Sequence, residues 1–330
     1  MKKILAPAVG LGLVFASLAA TPAFASATLP STDTYIALPC EDHAGDPVAN
    51  LNSLASDGTS TGIGGTAYSS DNCFADGSYN IVDGKYYAWD MTTNTFFSVD
   101  VTTGALAEVG NGDITVSGNA FTNVNGIFVS QTGEYFMFTR STPADLYSLS
   151  LGATASDPTV ATLVGTLPTR TSAMAYNPVT GKVYAQEPKG AGQLSEVSLT
   201  DASVIVSYTS NCNTNEWGFG SGDCWGLDFD SNGTLWYQTD NGDSDDASML
   251  ASATLPTIDG ASFELVEQGA FTDPTTGSWY GESTGIIFAS PIPDPVLPDT
   301  GVSSLATVVG TITALLLLAG GIVLIRRRRA

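Results

Sequence analysis

The chain has 330 residues, with 33 acidic and 11 basic side chains, four cysteines and one histidine. That length holds one large domain or two small ones, and a net charge of −22 argues against nucleic acid as a partner, because nothing here could neutralise phosphates. Six of the eleven basic residues are Lys2, Lys3 and Arg326 to Arg329; the body between them sets all 33 acids against Lys85, Arg140, Arg170, Lys182 and Lys189, a net −28 that attracts cations or basic partners.

At the N-terminus, Lys2 and Lys3 precede an apolar run from Ile4 to Ala20, and Thr21-Pro22-Ala23-Phe24-Ala25 follows with small residues at cleavage positions. This is the pattern of a signal peptide, residues 1–25, with the cut between Ala25 and Ser26. Cys40, Cys73, Cys212 and Cys224 all lie in the exported part, and an even number in an oxidising compartment reads as two disulfides. Of the three pairings, Cys40–Cys73 and Cys212–Cys224 are favoured: the second closes a short loop and the first ties down the N-terminal segment. The lone His43 and the absence of C-x-x-C exclude a zinc site built on these cysteines.

Residues 26–290 read as all-β. Short alternating runs rich in Val, Tyr, Phe and Thr are separated by Gly, Asn, Asp and Ser turns. The turns Asp83-Gly84, Thr132-Gly133, Thr180-Gly181 and Asn232-Gly233 are spaced by 49, 48 and 52 residues. Each is followed by a polar residue and then apolar or aromatic ones (Lys85-Tyr86-Tyr87-Ala88, for example), as the second strand of a hairpin requires. A second string recurs about ten residues on, at Phe96 to Val101, Leu146 to Leu151 and Leu194 to Leu199. A period near 50 with four strands per unit predicts a β-propeller.

Four complete units and two fragments are found. Ser283 to Phe288 reads as an innermost strand with nothing after it, while Thr34 to Ala37 and Leu51 to Leu54 read as second and third strands with nothing before them. The expectation is a five-bladed β-propeller whose closing blade is shared by both chain ends; a β-sandwich is the alternative. The repeat resembles the broad families of extracellular propellers, most closely at Tyr176-Asn177-Pro178-Val179-Thr180-Gly181-Lys182-Val183-Tyr184, without identifying an enzymatic family. In such a fold the hairpin turns share one face, and the loops between blades share the other with those joining strands two and three. Cys40 and Cys73 both fall on the latter face.

That loop face collects the candidate binding residues. Trp217 and Phe219 sit in a long segment after Cys212, and Trp279 and Tyr280 precede the last strand. Exposed aromatics beside carboxylates suit stacking on sugar rings, although Trp225 and Trp279 equally suit packing between blades. Asp240, Asp243, Asp245 and Asp246 crowd one loop and are the candidates for calcium, which wants several carboxylate oxygens together. Asp228-Phe229-Asp230-Ser231-Asn232-Gly233 opens like a calcium loop, but Thr239 stands where the closing acid belongs. No catalytic residues are assigned: His43 beside Glu41 and Asp42 makes no recognisable triad, no phosphate loop is present, and acids are too abundant for a pair to stand out. No cofactor other than calcium is expected.

Pro291, Pro293, Pro295 and Pro298 make residues 291–300 a stiff stalk of about 3.1 Å per residue. It ends in Leu297-Pro298-Asp299-Thr300-Gly301, followed by 24 mostly apolar residues from Val302 to Ile325 and then four arginines. An apolar run of that length spans a bilayer as a transmembrane helix, and the arginines hold its far end in the cytoplasm. Together the three parts resemble the LPXTG-type sorting signal of Gram-positive cell-wall surface proteins. The resemblance implies that a sortase cuts between Thr300 and Gly301, discarding residues 301–330 and joining Thr300 to peptidoglycan. The reading is therefore a secreted, wall-anchored propeller displayed for binding or adhesion to a glycan, a host or environmental surface, or a basic protein. The alternatives are an extracellular hydrolase acting on a polysaccharide or lactone, and a passive acidic wall component.

Overall fold

In the computed structural model, the described residues are 34–39, 52–55, 60–63, 73–187, 192–213, 223–240, 249–270 and 283–289. They form strands and turns, with one 3₁₀ turn at Asn211–Asn213 as their only helical element. In chain order, β1 (Thr34–Pro39), β2 (Asn52–Leu54) and β3 (Ser60–Gly62) come first. β4 (Ser78–Asn80), β5 (Lys85–Asp90), β6 (Thr95–Asp100) and β7 (Leu106–Glu108) follow, then a small hairpin of β8 (Ile114–Val116) and β9 (Asn119–Ala120). Next are β10 (Val124–Val129), β11 (Tyr135–Thr139), β12 (Asp145–Ser150) and β13 (Thr159–Thr166), then β14 (Ala173–Asn177), β15 (Lys182–Gln186), β16 (Gln193–Val197) and β17 (Val204–Ser210). The last are β18 (Asp223–Phe229), β19 (Leu235–Asp240), β20 (Met249–Ala253), β21 (Ser262–Phe263), β22 (Val266–Ala270) and β23 (Ser283–Ala289).

These strands make five sheets. Four are built from strands that run in chain order from one edge: β4-β5-β6-β7, β10-β11-β12-β13, β14-β15-β16-β17 and β18-β19-β20-β22. In the fifth, β23 pairs antiparallel with β1, followed by β2 and β3, so the two ends of the described chain share one sheet. The first strands of the sheets meet in succession, β4 to β10 to β14 to β18 to β23 and back to β4. The architecture is all-β and propeller-like, which a two-sheet sandwich does not describe. Two sheets depart from the expected four strands. The β8–β9 hairpin adds to the outer edge at β13, and β21 adds to the edge at β17, both in parallel. Both additions cover backbone that would otherwise be an open edge.

Strand alternation explains how sheets stack face to face. In β5, Tyr86 and Ala88 point into a cluster with Phe74 and Val99, whereas Tyr87 and Trp89 point the other way, against Ile127 and Met137 of the next sheet. In β11, Met137 faces back and Phe136 and Phe138 face forward, toward Met174 and Val183. In β15, Val183 and Ala185 face back while Tyr184 meets Phe229, Leu235 and Tyr237. Each second strand is thus buried on both faces, as a blade between two neighbours must be. Ile63, just after β3, packs on the Phe74 cluster and links the shared sheet to its neighbour.

The hairpin turns also interlock. A short polar side chain closes each turn: Asn80 Oδ1 accepts from Val82 N at 2.8 Å, Asn177 Oδ1 from Val179 N at 2.9 Å, and Asp230 Oδ1 from Thr234 N at 2.8 Å. Ser130 Oγ plays the same part, accepting from Glu134 N at 3.1 Å. Val82 then leans on Gly133 of the next sheet, and Val179 on Gly233 of the next. Gly133 and Gly233 have φ of 81° and 78°, a left-handed backbone that a side chain would strain. A Cβ at either would sit 3.1–3.2 Å from the valine methyl. Glycine there serves the turn and the contact together.

Candidate functional site

Because the first strands run side by side around the axis, their ends at the hairpin turns enclose a cavity of about 230 Å³. Tyr79, Tyr176 and Phe229 supply its rings, and Ser78, Ser130, Gln131, Asp228 and Ser231 supply polar groups. The Tyr176 hydroxyl donates to the Gln131 side-chain oxygen, which fixes the ring across two sheets. Burial raises the pKa of both phenols, with the Asp83 carboxylate adding to the effect at Tyr79, so both are neutral donor–acceptors near neutral pH. The Asp228 carboxylate accepts from Phe229 N at 2.8 Å.

Deeper along the same axis lies Asp76. Residues 73–77 form no regular strand; isolated bridges tie Phe74 to Asp90 and Asp76 to Gly126. The Asp76 carbonyl accepts from Ile127 N at 2.8 Å, and its Oδ2 accepts from Met174 N at 3.1 Å, so one residue joins three sheets. Gly126 makes this approach feasible, since a Cβ there would lie 3.0 Å from the Asp76 Cβ and 2.3 Å from the Phe138 ring. Asp76 is 2% exposed, and its Oδ1 is buried without a hydrogen-bond partner. Burial pushes its pKa well above the usual carboxylate range, the Met174 N–H opposes this, and the Asp228 charge adds to it. The axis therefore holds a buried carboxyl group with a raised pKa, within electrostatic reach of a second carboxyl group.

The structure places the sequence candidates as follows. Cys73 and Cys212 are disulfide-bonded. Cys40 lies outside the described residues, and Cys224 is placed in β18 by its backbone alone. Trp217, Phe219, Trp279, Tyr280, Asp243, Asp245 and Asp246 lie outside the described residues, as do Ala25, Ser26 and Leu297 to Gly301. Asp240 is the last residue of β19, opposite Asp223. At the calcium-like loop the Asp230 carboxylate is occupied by protein donors: Asn232 N at 3.0 Å, Thr234 N at 2.8 Å and Trp236 Nε1 at 3.1 Å. It acts as a turn closure. Among the described residues no group of three or more His, Cys, Asp or Glu side chains could hold a metal. Among them no helix is long and apolar enough to cross a membrane; Val302 to Ile325 lies outside that set.

Two features escaped the sequence reading. Asp76 is one of 33 acids with no motif around it, and only its folded contacts to Gly126, Ile127 and Met174 single it out. Gly58-Thr59-Ser60-Thr61-Gly62 also matches the G-x-S-x-G pattern of a hydrolase nucleophile. That motif needs a sharp turn from strand into helix, whereas Ser60 opens β3 and pairs with Leu54 on β2. The match is incidental to the fold.

No family model matches the chain, and no curated protein does. Among solved structures, a Bacteroides caccae protein of unknown function is 12% identical with a TM-score of 0.45, the match covering 78% of this chain and 99% of that one. A chain of a nidogen/laminin complex is 9% identical with a TM-score of 0.43, covering 78% and 98%. A gluconolactonase from Xanthomonas campestris is 13% identical with a TM-score of 0.42, covering 78% and 80%. None of these likenesses bears on activity.

Proposed function

We propose that the chain is a secreted, sortase-anchored, five-bladed propeller that binds an extracellular glycan, the sheet shared by β23 and β1–β3 acting as the closing blade. In this reading the signal peptide ends at Ala25, Thr300 is joined to the cell wall, and the disulfides pair Cys40 with Cys73 and Cys212 with Cys224. The observation that carries the binding role is the axial cavity, where two tyrosine rings stand beside an amide, a carboxyl group and three serines. A rigid concave site with a few convergent polar groups is the usual form of a small-ligand site. Its 230 Å³ falls below the roughly 300–1,000 Å³ of drug-sized sites, which suits a single ring-sized group.

The test is calorimetric titration of the mature chain, residues 26–300, with a panel of neutral and charged oligosaccharides, followed by analysis for cleavage products. Saturable binding that weakens at least tenfold in Tyr176→Ala, without products, is expected. Silence across the panel from folded protein would leave only a passive acidic coat.

One observation favours a second reading. Two carboxyl groups on one axis, one with its pKa raised by burial, is the arrangement from which acid–base pairs are made. In a hydrolase Asp76 would donate its proton to the leaving oxygen while Asp228 accepts one from the attacking water. Products that vanish in Asp76→Asn, with binding retained, would move the chain to that class.

A further inference from the structure

Charge sets the axial cavity apart. The ionisable groups among its described lining residues are the Asp228 carboxylate and the phenols of Tyr79 and Tyr176. Asp228 accepts from Phe229 N at 2.8 Å and is engaged by further neighbours, so its carboxylate is fixed at the cavity wall. Its charge adds to burial in raising the pKa of Asp76 deeper on the axis, and the Asp83 charge adds to burial in the same way at Tyr79.

The basic residues of the body lie elsewhere. Lys85 stands opposite Asp100 in the pairing of β5 with β6, and Lys182 Nζ lies 2.8 Å from Glu196 Oε2 on β16. Both are thus matched to acids of third strands, outward from the axis. Arg140 and Arg170 sit at strand ends remote from the hairpin turns, and Lys189 falls in the sequence between β15 and β16, which connect at that end. The shared sheet supplies no cation, because β23 and β1 contain no acidic or basic side chain. A carboxylate at the wall of a cavity that Lys85, Arg140, Arg170 and Lys182 do not line, in a body of net −28, makes a concave site of negative potential.

The neutral groups suit an organic cation rich in hydroxyls. Among the described residues no hydrogen bond reaches the hydroxyls of Ser78 and Tyr79, which line the cavity. The Tyr176 hydroxyl is committed to the Gln131 oxygen, which leaves the Gln131 amide nitrogen to donate elsewhere. Aromatic rings attract an ammonium group, whereas a hard metal ion wants several oxygen ligands together and finds one carboxylate among the lining residues.

We propose, on the strength of the glycan-binding reading of this cavity, that it is an amino-sugar site. It takes a pyranose ring whose free amine is protonated, with Asp228 answering the ammonium and Ser78, Tyr79 and Gln131 answering the hydroxyls. Its 230 Å³ suits one such ring. An N-acetyl group puts a neutral amide where the ammonium would stand, and a uronic acid brings a charge that Asp228 repels. A lysine side chain brings its ammonium on a hydrocarbon stem, with no hydroxyl to meet Ser78 and Tyr79.

The test is calorimetric titration of the mature chain, residues 26–300, at pH 6 in low and high salt. The probes are the glucosamine disaccharide, its di-N-acetylated counterpart and Nα-acetyl-lysine amide; a disaccharide limits diffuse attraction to the acidic body. The free-amine sugar is expected to bind about tenfold tighter than the acetylated one at low salt. That preference should shrink in high salt and in Asp228→Asn, whose unaltered thermal melting separates lost recognition from lost fold. Tyr79→Phe, which keeps the ring, should weaken both sugars to a similar degree. Equal or tighter binding of the acetylated sugar, lost in Tyr176→Ala, would overturn the amine assignment and leave the glycan reading standing. No binding of either sugar would overturn it too, and the wider oligosaccharide panel then decides the glycan reading. Amine binding indifferent to Asp228→Asn, or tighter binding of the lysine derivative, would overturn it as well.

Discussion

Asp76 offers a sharp test of the axial architecture through the pH dependence of stability. Its ordinary pKa is 3.8, and in the fold burial holds it well above that value. A carboxyl group whose folded pKa exceeds its unfolded one contributes its full stabilisation below the unfolded value. That contribution is lost as pH rises toward the folded value, because the unfolded chain ionises first. A single group changes stability by up to about 1.4 kcal/mol per pH unit within this window. From pH 4.5 upward the wild type should therefore lose stability progressively through Asp76, until its folded form ionises as well.

Asp76→Asn removes the titration while keeping shape. Its side-chain oxygen still accepts from Met174 N, and its amide takes the place of the partnerless Oδ1. Guanidinium unfolding followed by tryptophan fluorescence at pH 4.5, 5.5, 6.5 and 7.5, with disulfides intact, gives both profiles. The variant should match the wild type near pH 4.5 and exceed it increasingly above. The many other acids cancel in the difference. Parallel profiles would refute a raised carboxyl pKa at this position. Calcium that stabilises the wild type but not the variant would refute it differently, by pairing a cation with an ionised Asp76.

Gly233→Ala should cost roughly 1–2 kcal/mol for the left-handed backbone, plus the pressure of a Cβ 3.1 Å from Val179 Cγ2. Adding Val179→Ala should relieve only the second part, as chemical denaturation of the single and double variants would register. Asp230→Ala should lower stability by roughly 3 kcal/mol, since it removes a charged acceptor from two backbone N–H groups and a buried indole. Millimolar calcium should not move the melting temperature through that loop; a calcium shift abolished by Asp230→Ala would contradict the turn-closure role. Thr300→Ala, expressed in a sortase-positive Gram-positive host, should transfer the chain from the muramidase-released wall fraction to the detergent-extracted membrane. Unchanged wall attachment would reject the sorting-signal reading.

Much of the fold was legible because propeller blades repeat the same local problem. Each needs a glycine turn followed by a strand buried on both faces, and both leave marks at a fixed period: Gly84, Gly133, Gly181 and Gly233, with Tyr86-Tyr87, Tyr135-Phe136, Val183-Tyr184 and Trp236-Tyr237 behind them. The shared sheet was legible from incomplete units at the two ends. The β8–β9 hairpin and β21 were not: they are two or three residues long, and β9 is fully exposed, so no alternation marks them. The axial site was illegible for another reason. Tyr79, Gln131, Tyr176 and Asp228 come from four sheets and meet only when the ring is assembled.

The shared sheet also decides which way the two faces point. In the other sheets the last residue of the first strand stands opposite the first residue of the second, across a hairpin: Val129 with Tyr135, Asn177 with Lys182, Phe229 with Leu235. Ala289 stands opposite Thr34 in the same way, without a connecting turn. The chain therefore enters and leaves the ring on the hairpin side. If the segment after Ala289 is the stalk to a wall-linked Thr300, the axial cavity opens toward the wall and the loop face looks away from it. A ligand of the cavity would then be reached from the wall side. On intact cells access of a soluble glycan to the cavity should be hindered until the chain is released. Equal access before and after release would mean that the ring sits the other way up.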